Sequence, residues 1–196
     1  MHIQRSSRVA RPGVTLIELV LVLTIMSAIM ALGLPRLQIG ATRADAAAQQ
    51  VRSVFQTAQR TSLTRQYDVI VSVDTIKGGL RIAEDVNNNG AIEVSEWKFW
   101  RPLGENNRFK VPPIGLNNTT PTKSVVGSQL ASVDQLPSII FHRDGSASTD
   151  AEMYVASSWR GRVDYRAVSL TRSTGRAEIL RLKGTGSSAS WGVIIQ

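Results

Sequence analysis

The chain contains no cysteine. That removes disulfides, thiol catalysis and cysteine-based zinc sites together, and it fits a protein held outside a reducing cytosol. Histidine is nearly absent as well, with only His2 and His142. Neither has a cysteine or a serine-elbow motif beside it, so no nucleophilic constellation can be assembled, and His142 reads as a hydrogen-bonded structural residue. No G-x-x-x-x-G-K-[ST] or G-x-G-x-x-G sequence is present for cradling phosphates. No internal repeat is visible. These absences lead to the expectation of a chain that is not an enzyme. A last absence is local: the first thirteen residues hold no acid, only Arg5, Arg8 and Arg11.

What is present is a mixed chain of 196 residues, 42% hydrophobic and 19% charged, too apolar to be disordered. The net charge of +8 is modest once it is located. Setting aside the three leader arginines leaves 20 basic residues against 15 acids, a mildly basic balance that does not by itself indicate nucleic-acid binding. From Val14 to Leu34 the only charge is Glu18. About 20 apolar residues cross a bilayer as helix, so the run predicts a membrane span. The arginines before it predict a cytoplasmic amino terminus and a translocated remainder. A secretory signal is the competing reading, but its apolar core is shorter and closes with small residues. Glu18 is then the anomaly. A carboxylate in lipid costs a few kcal/mol, and it either snorkels to the interface or keeps a partner on another chain.

The stretch "GVTLIELV" resembles the type IV prepilin motif: a basic leader, a Gly, then an apolar start with Glu as the fifth residue. Counted from Val14, Glu18 is fifth, although most members begin with Phe and not Val. The resemblance implies cleavage after Gly13 by a prepilin peptidase and methylation of the new amino terminus at Val14. It also implies that Glu18 neutralises the terminal amine of a neighbouring subunit during assembly.

Beyond the apolar run, Leu37, Ala41, Ala44, Ala48, Val51, Phe55, Ala58 and Ser62 recur at helical spacing. The pattern predicts one helix from Val14 to Arg65, greasy first and amphipathic after. After Tyr67 the period becomes alternating: "YDVIVSVD" predicts a half-buried strand with Tyr67, Val69, Val71 and Val73 on one face. "LRIAED", "EWKFWRP", "SIIFHRDGSAS" and the hairpin of "VDYRAVSLT" with "RAEILRL" read as further strands. Asn117 to Val133 reads as a long loop. The expected class is α+β, a long N-terminal helix packed on an antiparallel β-sheet domain. The divisions are 1–13 as leader, 14–35 as transmembrane helix, 36–66 as amphipathic helix, 67–183 as a β-rich periplasmic domain, and 184–196 as a loose tail. Phe141, Asp144, Gly145 and Thr174-Gly175-Arg176 resemble the turns of the GspH/FimT branch of minor pseudopilins.

Two segments carry candidate sites. "DVNNNGAIEVSE" fits the calcium-loop template, with Asp85, Asn87, Asn89 and Glu96 as oxygen ligands. It lies between predicted strands, however, and the bland reading is an Asn-Gly turn. No other cofactor is expected. The second segment holds Arg160, Arg162 and Arg176 among Trp159 and Tyr165, as a single-stranded DNA groove would need. Branch members that resemble DNA receptors use Gly-Arg-x-Arg, but here Asp164 and Glu178 stand at the second Arg position, which weakens phosphate binding. The resemblance therefore implies a minor pseudopilin of a type II secretion filament, in the inner membrane with its C-terminal domain periplasmic. Its partners would be other pseudopilins and the peptidase. The alternative is a DNA-binding minor pilin of a type IV pilus acting in transformation.

Overall fold

The computed structural model describes residues 13–33, 39–113, 124–125, 130–183 and 190–193. The chain divides into two compact units, Met1–Gln38 and Ile39–Gln196. The first contains α1 (Leu16–Gly33). The second contains α2 (Ile39–Arg65) and, among the described residues, eleven strands.

This corrects the expected fold class. In place of one long N-terminal helix there are two, of 18 and 27 residues, in separate units, and the second unit is mostly β. Gly33 is the last residue of α1, and the sequence continues Leu34-Pro35. Glycine favours the position just past a helix, while proline lacks the amide a helix needs and crowds the carbonyl four residues back. Apolar spacing holds on both sides of Pro35, but spacing says nothing about continuity. The transmembrane span is corrected too: no described helix is long and apolar enough to cross a membrane.

The strands of the second unit form two sheets. One has the order β3 (Lys98–Pro102), β2 (Gly79–Asp85), β1 (Asp68–Asp74), β7 (Leu136–Phe141), β6 (Ala131–Val133). The other has the order β11 (Ser190–Val193), β10 (Arg176–Lys183), β9 (Arg162–Thr171), β8 (Ala151–Trp159), β4 (Asn107–Phe109), with the two-residue β5 (Ser124–Val125) parallel to β8. All other pairings are antiparallel. Three of these strands fall where the sequence predicts irregular chain. β5 and β6 lie in the expected loop, and β11 lies in the expected tail, paired on β10.

A single core joins both sheets through α2. Ala48, Val51, Phe55 and Ala58 of the helix are fully buried among Val69, Val71, Ile139 and Phe141 of one sheet and Met153, Val155, Val168 and Leu170 of the other. The Phe55 and Phe141 rings meet at 5.8 Å, a spacing typical of aromatic pairs. β1 is buried on both faces, not one. Its outer face is closed by a polar network: Arg81 donates to Ser72 (3.2 Å) and Asp134 (2.9 Å), and Ser138 donates to Ser72 (2.9 Å).

The glycine turns of the sequence pattern meet at the C-terminal half of α2. Gln59 Nε2 donates to the carbonyls of Gly145 (2.8 Å) and Thr174 (2.6 Å). Gly175 (φ +60) sits so close that an added Cβ would lie 2.2 Å from the Gly145 oxygen. In the first turn the Ser146 hydroxyl and N–H both donate to Asp144 and hold its carboxyl below the usual carboxylate range. Gly175→Ala should therefore lower unfolding stability by about 2–4 kcal/mol, because a left-handed conformation and a backbone collision add. Gly161→Ala is the control, with φ +77 and nothing within 4 Å of the new carbon; it should cost only about 1–2 kcal/mol. Denaturant midpoints at constant slope measure both.

Candidate functional site

Gly13, Val14 and Thr15 precede α1 as irregular chain. Nothing lies within 4 Å of a Cβ built on Gly13, and Val14 is 73% exposed. Thr15 caps the helix: its hydroxyl accepts the Glu18 N–H (3.3 Å) and its carbonyl accepts the Leu19 N–H (3.2 Å). Thr15 to Glu18 has the T-x-x-E spacing of a capping box, a signal present in the sequence that the prepilin pattern overshadowed. Glu18 also gains from the positive end of the helix dipole in this first turn. Among the described residues no cation pairs with its carboxylate. From Gly13 to Met30 every side is exposed. Thr24 and Ser27 turn their hydroxyls onto the carbonyls of Leu21 and Thr24 (2.8 Å each), leaving the surface apolar.

The Asp85–Glu96 loop gathers the four residues read as calcium ligands, but their oxygens already have partners. Asp85 is fully buried and accepts the N–H groups of Asn89 (3.0 Å) and Gly90 (2.7 Å). Glu96 accepts those of Val86 and Glu93, each at 2.9 Å. Asn87 and Asn89 donate their side-chain amides to Glu93 (3.0 and 3.1 Å). Asn88, at φ +55, accepts the Asp68 N–H at 2.7 Å and ties the loop to the start of β1. Two buried carboxylates thus staple a loop that would otherwise leave amides unsatisfied. Among the described residues no group of three or more His, Cys, Asp or Glu is gathered as a metal ion requires.

The arginines read as a DNA track are not brought together. Arg160 (φ +48) and Gly161 form the tight turn between β8 and β9, both left-handed as a type I′ turn requires. Arg162 begins β9, whereas Arg176 pairs with Thr171 at its far end. Nine strand steps separate those ends by about 30 Å. Arg176 also pairs with Glu178 at 3.2 Å. Trp159 is covered by the Arg43 guanidinium 4.3 Å from its ring, and Tyr165 is 7% exposed, so neither offers a free stacking face. Asp164 faces the start of α2: its Oδ2 lies 2.6 Å from the position a Cβ on Gly40 would take. It does not oppose a phosphate track, and Gly40 is needed to admit it. His142 accepts or donates one hydrogen bond with Asp68 at 2.8 Å. Reading the sequence missed Arg166, which is buried and joined to Asp45; the two lie 121 residues apart, and no local signal links them.

No family model, no curated protein and no solved structure matches this chain.

For the loop, Asp85→Ala should cost roughly 1–3 kcal/mol, since it removes the buried carboxylate that accepts the Asn89 and Gly90 N–H groups and closes the turn. The loss should be the same with calcium and with a chelator. A wild type that melts higher in calcium, with the difference gone in Asp85→Ala and Glu96→Ala, would assign the loop to calcium instead.

Proposed function

We propose that the chain is a minor subunit of a pilus-like filament of the type II secretion kind, processed after Gly13 and held at the inner membrane, with its β-rich unit on the periplasmic side. One observation carries this reading. An open Gly13–Val14 junction stands directly ahead of a helix that is apolar and uncovered all round, with a single unpaired carboxylate in its first turn. A contiguous apolar surface of this kind calls for lipid or other protein.

The chemistry of assembly follows from those few residues. Hydrolysis of the Gly13–Val14 peptide bond leaves a carboxylate on the leader and an amine on Val14. Once protonated, that amine is the cation that Glu18 lacks. A neighbouring subunit brings it to Glu18, and in apolar surroundings the pair is strong enough to select register. Before assembly the cap at Thr15 fixes only the Glu18 backbone and leaves its carboxylate free. The role is structural and needs no catalytic group. The DNA-receptor alternative is weakened by the separation of Arg162 from Arg176 and by the covered faces of Trp159 and Tyr165.

Mass spectrometry of the membrane-bound form should show a chain that begins at Val14, with an added methyl group on its amine. A full-length Met1 start would overturn the reading. Glu18→Gln removes the charge but keeps the polar shape. It should leave the protein in the membrane fraction and reduce its co-purification with filament partners at least tenfold, a coupling of about 1.4 kcal/mol or more.

A further inference from the structure

We propose that the open edge of β3 is a docking site for an extended acidic segment of a partner protein, added to the sheet as a further strand. β3 pairs only with β2 among the described residues. Trp97 O accepts the Glu84 N–H, and Leu103 N–H donates to Gly78 O, each at 3.0 Å. The odd-numbered positions therefore face β2, and antiparallel alternation turns the main-chain groups of Lys98 and Trp100 outward. Pro102 ends this run: it has no N–H, and its carbonyl already accepts the Gln50 side-chain amide. Two outward N–H and two outward C=O groups are enough to anchor about five residues of added strand.

The side chains say what kind of strand fits. Trp97 and Phe99 lie on the face turned toward α2, 53% and 43% exposed, stacked 9° from parallel at 6.1 Å. The Arg101 guanidinium sits 5.4 Å from the Phe99 ring. Between this ridge and α2 runs a cavity of about 560 Å³ with Val54, Thr57 and Ile82 in its walls. Every second side chain of an added strand would fall on that face, beside the two rings.

Lys98–Pro102 carries two cations and no acid. A second copy paired here would bring two like-charged strands together, and lysine and proline at an edge are known guards against such pairing. Exposed aromatic rings are not. Charge that repels a copy, beside apolar surface that invites contact, selects an acidic partner, since opposite charges across strands attract.

The proposal stands whether or not the chain is cleaved at Gly13. It is tested with the full chain in detergent micelles and labelled synthetic hexapeptides, read by fluorescence anisotropy. Glu-Val-Asp-Val-Glu-Val should bind at least tenfold more tightly than the same peptide with lysine at each acid. N-methylation of its alternate amides should weaken binding at least tenfold. Lys98→Glu with Arg101→Glu should reverse the preference toward the lysine peptide. Trp100→Pro removes an outward donor and no main-chain bond to β2, together with the indole that lies over Gly79; it should lose binding even well below its lowered melting temperature. If that variant fails to fold, the charge reversal still decides the matter. No binding by wild type, equal binding of both peptides, or indifference to the charge reversal would each overturn the proposal. Self-association abolished by the same charge reversal would also overturn it and assign the edge to a second copy.

Discussion

Arg166 keeps its guanidinium inside the protein, with 4% of its side chain exposed, and the arrangement of the second unit depends on how that charge is met. Its Nε donates to Asp45 on α2, and its remaining donors reach the carbonyls of Tyr165 (2.7 Å) and Ala41 (3.3 Å). Arg181 of β10 holds the other oxygen of Asp45 at 2.8 Å. A buried charge with one partner removed typically costs about 3–5 kcal/mol, so α2 cannot rotate away from β9 without loss. With Asp45 directed at β9 and β10, helical geometry turns Ala48, Val51 and Phe55 onto the shared core. Gln59 then completes the docking at the other end, where two glycine turns from opposite sheets touch. The ion pair sets the rotation of the helix, and the amide sets its far end.

Once α2 and the inner faces of both sheets are committed to one core, some apolar surface is left exposed among the described residues. Two places hold most of it. One is α1, exposed from Leu16 to Met30. The other is the edge of β3, where Trp97 and Phe99 are exposed beside the cavity along α2. These surfaces differ in a way that matters for what covers them. α1 satisfies its own backbone and offers side chains only, which suits lipid or another helix. β3 offers unpaired backbone as well, which suits a strand. The outer face of β1 shows the contrast, since the network of Arg81, Ser72, Ser138 and Asp134 closes it with hydrogen bonds.

The features that could be read from the sequence are those whose causes lie within about a dozen residues. The Asp85–Glu96 segment forms one closed loop because Asp85 reaches amides four and five residues on, and Glu96 reaches back three and ten. Its residue pattern announces the closure. Whether the carboxylates face a cation or backbone amides is a matter of orientation, and both uses satisfy the same pattern. The turns at Asp144-Gly145 and Thr174-Gly175 are visible in the same way, through residues that tolerate positive φ. Their meeting across Gln59 is not visible, because 86 and 115 residues separate the partners. The strand alternation of β1 is legible too, but the covering of its outer face by Arg81 and Ser138 is not. Helical spacing across Pro35 suggested a single helix and a membrane span, and this failed because periodicity records which face is apolar, not whether the backbone continues.

By itself the sequence determined the apolar segment behind three arginines, the lone carboxylate at Glu18 and its cap at Thr15, the positions of the turns, and the alternation of most strands. Each rests on local chemistry: hydrophobic spacing, a side chain within reach of a neighbouring amide, or a residue suited to a left-handed turn. Tertiary structure alone decided the burial of Arg166 against Asp45, the turning of Asp164 under Gly40, and the meeting of two glycine turns across Gln59. It also decided which strand stands at the edge. These outcomes depend on residues 100 or so positions apart sharing space, where the cost of an unpaired charge or an uncovered face is set by the partner across the gap and not by the neighbours along the chain.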